Sequence, residues 1–232
     1  MESRSSCCPL ARLGSRYRDW GDWQQAEAYY REALHLAQRH GSDSAIARLT
    51  GLLGDIQRKQ GNWEAAESLF RQSLQLREEL GDRSGIAAVW EVLGDIQRNG
   101  GNWEAAEILF RQSLQLREEL GDRAGMATSI GCLGENELGR GNLDSAEALL
   151  KDALEKMETL GMTWHVAETN YRLFQLERKR NNPDLAQQHY TTARNLFEKL
   201  GAVKDLEKIE REWKEGAGGA GEAGGAGGER LQ

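Results

Sequence analysis

Residues 61–83 read "GNWEAAESLFRQSLQLREELGDR", and residues 101–123 repeat the phrase with Ser68 replaced by Ile108. The 40-residue step between the copies continues in both directions along the chain. It shows in a series of turns that read GDW at 21–23, GNW at 61–63, GNW at 101–103, GNL at 141–143 and NNP at 181–183. A fixed period of this length indicates a repeat architecture, so the other features are interpreted within it.

Each unit carries two amphipathic helical segments. At 63–80, apolar side chains recur with helical spacing and charged ones fall on the other face. Asn62 stands where an N-cap is expected, Gly81 where a left-handed residue closes the helix, and Asp82 where the next helix is capped. The sequence therefore predicts these helices, in pairs and with a last helix alone: 8–20 with 23–40, 43–60 with 63–80, 83–100 with 103–120, 123–140 with 143–160, 163–180 with 183–200, and 202–215.

A single helix pair cannot bury its apolar stripe alone, so neighbouring pairs must stack to complete a shared core. The fold class predicted is all-α, an α-solenoid of five antiparallel helix pairs with a C-terminal capping helix. Three regions follow: an N-terminal flank at 1–7, the solenoid at 8–215, and a flexible Gly/Ala-rich tail at 216–232.

The formal net charge is −7, from 30 Lys and Arg against 37 Asp and Glu. This balance disfavours nucleic acid and anionic membranes and favours basic or mixed-charge partners. No apolar run reaches the length of a membrane span or of a signal-peptide core, so we expect a cytoplasmic protein. Cys7, Cys8 and Cys132 lack metal-ligand spacing and are expected to be free thiols, although the adjacent Cys7 and Cys8 leave acylation open.

A recurring set of small and aromatic residues carries a family resemblance. Relative to a glycine in the first helix of each pair, Leu precedes it directly, Ala follows at +12, and an aromatic residue or Leu at +16. The four series are Leu13, Gly14, Ala26, Tyr30; Leu53, Gly54, Ala66, Phe70; Leu93, Gly94, Ala106, Phe110; and Leu133, Gly134, Ala146, Leu150. This pattern resembles the tetratricopeptide repeat, with a 40-residue period like that of Leu-Gly-Asn adaptors and of bacterial signalling arrays.

The resemblance implies a right-handed solenoid whose first helices line a concave, partner-binding groove. The positions carried over are Arg18, Arg48, Asp55, Arg58, Glu91, Asp95, Arg98, Glu135, Tyr171 and Arg178. Two ladders repeat among them at the 40-residue step: acidic Asp55, Asp95 and Glu135, and basic Arg18, Arg58, Arg98 and Arg178. They could hold a peptide, or they could neutralise one another as i,i+3 pairs on a solvated face, and the sequence leaves both interpretations open.

Catalytic motifs are missing from the sequence. There is no P-loop, no GxSxG turn and no HExxH, and the four histidines are scattered. We therefore predict a non-enzymatic protein without metal or cofactor. The expected function is a protein-interaction scaffold that binds a partner peptide or helix. The alternative is homo-oligomeric self-assembly by end-to-end stacking, motivated by a first helix pair with little evident cap.

Overall fold

The computed structural model describes residues 7–218, and within them it contains eleven α-helices and no strand. Most helices begin and end within one residue of their predicted bounds. They are α1 Cys7–Trp20, α2 Trp23–Arg39, α3 Asp43–Lys59, α4 Trp63–Leu80, α5 Arg83–Asn99, α6 Trp103–Leu120, α7 Arg123–Arg140, α8 Leu143–Thr159, α9 Thr163–Lys179, α10 Pro183–Leu200 and α11 Val203–Gly218. The predicted all-α class is confirmed for this part of the chain.

The helix α11 differs most from its prediction, since it continues three residues beyond the expected end at 215. The other residues of the tail predicted to be flexible, 219–232, lie outside the described part of the chain, as does most of the predicted flank at 1–7. None of the helices described is long and apolar enough to cross a membrane.

The turns between helices follow the predicted chemistry in part. Gly81 ends α4 with φ of 67°, a left-handed conformation that suits glycine. Asp82 then caps α5, because its carboxylate accepts a hydrogen bond from the Gly85 amide at 3.0 Å. Asn62 occupies the N-cap position of α4 without making a capping hydrogen bond. Its amide donates instead to Gln57 Oε1 at 2.9 Å, so this asparagine ties the turn to the preceding helix.

One turn departs from the glycine pattern of the others. Asn181 has φ of 62° where the corresponding turns have glycine. A side chain with a Cβ in this region costs about 1 kcal/mol, and asparagine tolerates it better than most residues.

We expect Asn181→Ala to lower the free energy of unfolding by about 1 kcal/mol, because alanine lacks the local hydrogen bonds that asparagine can make in this conformation. Asn181→Gly should leave stability unchanged or slightly higher. Chemical denaturation measures both. Asn182→Ala is the control, since Asn182 has a negative φ and makes no side-chain capping bond; an equal loss in the control would contradict the assignment to backbone conformation.

The chain divides into two compact units, Met1–Cys132 and Leu133–Gln232. In unit 1, α1 packs on α2, α3 on α4 and α5 on α6, while α2 contacts α3 and α4 contacts α5. In unit 2, α9 packs between α8 and α10, and α11 covers α10. Each unit has its own apolar seams, which include Leu49, Ile56 and Tyr30 in unit 1 and Phe174, Phe197 and Ile209 in unit 2.

The signature glycines allow the two helices of a pair to approach closely. A Cβ on Gly94 would lie 2.5 Å from the ring of Phe110, and one on Gly54 would lie 3.1 Å from the ring of Phe70. Both phenylalanines are buried. The Leu-Gly element thus positions an aromatic ring of the second helix against the backbone of the first, and it leaves the opposite face of the first helix exposed.

Candidate functional site

The ten predicted groove residues all lie on the first helices of their pairs. Arg18, Arg48, Asp55, Arg58, Glu91, Asp95 and Arg98 belong to unit 1, and Glu135, Tyr171 and Arg178 belong to unit 2. The structure separates them into residues that remain on an exposed face and residues that take part in helix packing.

Two ion pairs form the centre of the exposed face in unit 1. Arg58 donates to Asp55 at 2.6 Å on α3, and Arg98 donates to Asp95 at 2.9 Å on α5. Their side chains are between 17% and 27% exposed, so all four are half-buried. The i,i+3 pairing allowed by the sequence is therefore present, and these charges largely neutralise each other within each helix.

Arg18 extends this polar row to α1. Its guanidinium donates to Asp19 at 3.0 Å. Burial alone would lower the pKa of Arg18, but the hydrogen bond to Asp19 and the nearby charges, including Asp55 on α3, raise it overall. Arg18 and Asp55 are therefore electrostatic neighbours. Arg48 lies seven residues before Asp55 on α3, in the first half of the helix, and its side chain is exposed.

Glu91 is a structural residue in this conformation. Its side chain is 13% exposed and forms a 2.7 Å ion pair with Arg117 of α6, while Ser129 of α7 donates to its second oxygen at 2.5 Å. Arg117 also pairs with Asp122 at 2.9 Å. Burial raises the pKa of Glu91, and the attraction of Arg117 offsets that effect only in part. Glu91 therefore joins three helices and does not face a partner.

Glu91→Gln is expected to change how the free energy of unfolding depends on pH. A carboxyl whose folded-state pKa is raised stabilises the fold most when protonated, below its unfolded pKa near 4.5, and that contribution is lost as the pH rises through the folded-state value. The stability of the variant relative to the parent should therefore increase between about pH 4 and pH 7. Urea titrations of the parent and the variant across this pH range measure the difference in stability. The exposed substitution Glu118→Gln is the control for the change in net charge. A relative stability that stays flat or falls with pH would contradict the burial argument.

In unit 2, Tyr171 and Arg178 are occupied by α11. The hydroxyl of Tyr171 donates to Glu212 at 2.5 Å, Gln175 donates to the same carboxylate at 3.0 Å, and Arg178 donates to the Glu212 carbonyl at 2.7 Å. Tyr171 is only 4% exposed, and burial together with Glu212 raises its pKa. Glu135 pairs with Arg172 at 3.0 Å. Helix packing thus engages all three predicted residues of this unit.

An aromatic cluster seals the last helix pair. Trp213 of α11 stacks on Tyr190 with ring centroids 4.4 Å apart, and it lies 6.0 Å from Phe174. Through these contacts Trp213 closes the last helix pair. Glu212, which the sequence analysis did not single out, fixes the same helix through its carboxylate.

Residues Arg12 and Arg16 on α1 were not among the predicted sites. They stand 40 residues before Leu52 and Ile56, which pack against the core of unit 1, and Ile56 is fully buried. Both arginines are exposed, and Arg16 lies over the Trp20 ring at 5.5 Å. Alignment of the units would have revealed Arg16 as a polar replacement at a core position and Arg12 as one at a partly buried position. Polar replacements of this kind make terminal repeats soluble. The expectation of a poorly capped first pair stays a prediction, and these arginines give the described part of α1 a polar surface.

The described residues offer no group of three or more His, Cys, Asp or Glu that could hold a metal ion. A cavity of about 530 Å³ lies beside α2 and α4, and the charged residues that line it, Glu27 and Arg31, are already paired at 2.6 Å. Within the described residues, Cys8 and Cys132 take part in no disulfide. The paired charges in this cavity do not form a cluster of acid and base groups.

The model of the tetratricopeptide repeat family matches residues 5–79 and 85–159 of the chain. A search of the curated proteins finds no match to its sequence. These two ranges cover most of the chain. They confirm that the recurring Leu-Gly pattern is that of a tetratricopeptide repeat.

Several solved structures share the fold. BtubC (BKLC) from P. vanneervenii superposes with a TM-score of 0.65 at 19% identity, covering 96% of this chain and 83% of that one. A Rap protein complexed with Competence and Sporulation Factor gives 0.69 at 14% identity, covering 94% and 65%. Aspartyl phosphate phosphatase F from Bacillus subtilis gives 0.73 at 12% identity, covering 100% and 64%. At these identities the likeness shows the fold alone, and this chain spans just under two thirds of the latter two.

Proposed function

Because the chain belongs to the tetratricopeptide repeat family, we propose that it is a non-enzymatic interaction scaffold whose exposed face on α1, α3 and α5 binds a segment of a partner protein. We call this surface the first-helix face; on α3 and α5 it comprises Arg48, Leu52, Asp55, Arg58 and Lys59, and Ala88, Val92, Asp95, Arg98 and Asn99. The observation that carries the proposal is the row of half-buried ion pairs Asp55–Arg58 and Asp95–Arg98, repeated on adjacent helices. Fixed donors and acceptors at a constant step suit an extended or helical peptide.

Two features support this face over the others in unit 1. The apolar side chains Leu52 and Val92 lie between the charges and are only partly buried, so a partner could remove more of their surface from water. The ion pairs hold their side chains in place before binding, which reduces the conformational entropy lost on association. The Rap structure in complex with Competence and Sporulation Factor offers a precedent for a bound factor in this fold.

A charge-swap variant tests the proposal. Exchanging both pairs, with Asp55→Arg, Arg58→Asp, Asp95→Arg and Arg98→Asp, keeps the net charge and allows each pair to re-form with opposite polarity. The fold should survive, as circular dichroism would show, while partners recovered by affinity purification and mass spectrometry should be lost.

The matched control exchanges an exposed pair on the second helix of a unit, Glu67→Arg with Arg71→Glu, whose parent geometry is an i,i+4 pair at 2.6 Å. It should retain the partners of the parent protein. If both variants recover the same partners, the first-helix face is not the binding surface.

End-to-end self-assembly has less support than peptide binding. Exposed Arg16 on α1 takes the place of buried Ile56 on α3, and α11 covers the final helix pair of unit 2. Burying this arginine in a chain-to-chain seam would be unfavourable. We expect a constant monomeric mass in light scattering across a concentration series, and a mass that grows with concentration would restore the stacking alternative.

A further inference from the structure

Charge is divided unevenly between the first and second helices of unit 1. The first helix α1 carries Arg12, Arg16 and Arg18 against Asp19, and α3 carries three basic residues against Asp43 and Asp55. The second helices α4 and α6 each carry four glutamates against two arginines. Because α2 and α5 are neutral, the first helices of this unit have a combined charge of +3 and the second helices one of −4, so the overall value of −7 does not describe the first-helix face. The expectation of basic or mixed-charge partners rested on that overall value.

One stripe of α3 shows the local balance. Arg48, Leu52, Asp55 and Lys59 follow one another at spacings of four, three and four residues, so they share a face of the helix. Asp55 is neutralised by Arg58 at 2.6 Å. Arg48 and Lys59 are both exposed. At a rise of 1.5 Å per residue, these two cations stand about 16 Å apart along the helix, with Leu52 between them.

The corresponding stripe of α1 runs through Cys8, Arg12, Ser15 and Asp19, and Asp19 is paired with Arg18 at 3.0 Å. Arg12 takes the place of Leu52 at the 40-residue step and is exposed. On α5 the stripe runs through Ala88, Val92, Asp95 and Asn99, and its single carboxylate is paired with Arg98. The face therefore has exposed cations at α1 and α3 and a neutral, partly apolar border at α5.

Unit 2 shows how a first helix of this protein holds an acidic residue. Gln175 and Arg178 on α9 stand two 40-residue steps after Asp95 and Arg98. Gln175 donates to the carboxylate of Glu212 on α11, and Arg178 donates to its backbone carbonyl. Tyr171 donates to the same carboxylate. In unit 2 the first helix α9 therefore contacts a helix that presents a glutamate, and neutral donors hold that carboxylate.

Resting on the proposed function, we propose that the first-helix face of α1 and α3 binds an acidic segment of a partner protein. The segment carries acidic groups about 16 Å apart that pair with Arg48 and Lys59, and an apolar side chain between them that covers Leu52. That spacing corresponds to about eleven residues of a helical ligand or about five of an extended one. The exposed cations Arg12, Arg48 and Lys59 are separated from one another by carboxylates. Such a surface suits a segment with separate acidic groups better than a continuous phosphate backbone or a membrane surface.

Fluorescence anisotropy with the full chain tests the inference. The probes are three labelled 12-residue peptides of equal length: one with glutamates at both ends and leucines at the centre, its lysine counterpart, and its glutamine counterpart. The glutamate peptide should bind most tightly, and its affinity should fall as salt is raised. Arg48→Glu with Lys59→Glu should weaken it at least tenfold. Arg39→Glu, an exposed charge reversal on α2, should leave its affinity within about twofold, because only the long-range field changes.

Each alternative result has a defined meaning. Preference for the lysine or glutamine peptide, an equal loss with Arg39→Glu, or no binding by any peptide overturns the acidic-segment inference. Phosphatidylserine vesicles and a DNA duplex are added as further probes. If either binds in an Arg48- and Lys59-dependent manner while the glutamate peptide does not, the face recognises phosphate and the inference is wrong. Partner capture that is lost in the charge-swap variant would leave the proposed function standing in all of these cases.

Discussion

Phe110→Ala is expected to lower the free energy of unfolding of unit 1 by about 3–4 kcal/mol. The side chain of Phe110 is fully buried, and it lies against the backbone of α5 at Gly94. Its removal takes away buried apolar surface and leaves a cavity that two helix backbones, held by their own hydrogen bonds, cannot easily close. Because a repeat array is stabilised by its nearest-neighbour seams, the loss should also weaken the seams on either side.

Guanidinium denaturation measures the change. Leu109→Ala is the matched control, because Leu109 is the adjacent residue on the same helix and is only partly buried. Its cost should be clearly smaller. Equal losses for the two variants, or a loss below about 1 kcal/mol for Phe110→Ala, would contradict the role assigned to the Gly94–Phe110 contact.

Gly94→Ala is expected to destabilise the protein by about 1–2 kcal/mol, whereas Gly54→Ala should be nearly neutral. Both substitutions gain helix propensity of about 1 kcal/mol. The new Cβ at 94 would stand 2.5 Å from the Phe110 ring and must displace it, while the Cβ at 54 would stand 3.1 Å from the Phe70 ring, which needs to yield by only a few tenths of an ångström.

These two positions form an internal comparison, because the helices that carry Phe70 and Phe110 differ in sequence only at Ser68 and Ile108. Thermal and urea unfolding of both variants give the ranking. Combining Gly94→Ala with Phe110→Leu should recover part of the loss, since Gly134 already faces Leu150 in unit 2. A Gly54→Ala variant less stable than Gly94→Ala would overturn the packing explanation.

The repeat period made most of the fold predictable. A 40-residue step supplies several copies of each turn and each apolar stripe, so an error at one boundary is corrected by its counterparts. The left-handed glycines and the Asp82 cap were predicted because their chemistry is local. The capping bond expected of Asn62 is not made, because the choice between capping and donating to Gln57 depends on a contact with the preceding helix.

The candidate site was less predictable for a related reason. A family register indicates which face of a helix a residue occupies, but it does not indicate whether a neighbouring helix covers it. Glu91 is covered through Ser129 and Arg117, and Tyr171 is covered through Glu212. The basic residues of α1 could have been found from sequence, since Arg12 and Arg16 interrupt a position that is apolar in α3.

Photo-crosslinking tests the central claim most directly. A photoreactive amino acid is placed either at Ala88, an exposed position on the first-helix face of α5, or at Ile108, which is 58% exposed on the second helix α6. Both positions belong to unit 1, and neither needs a buried side chain to be removed. The account predicts a covalent adduct with the captured partner from position 88 and none from position 108. An adduct formed only from position 108 would contradict it.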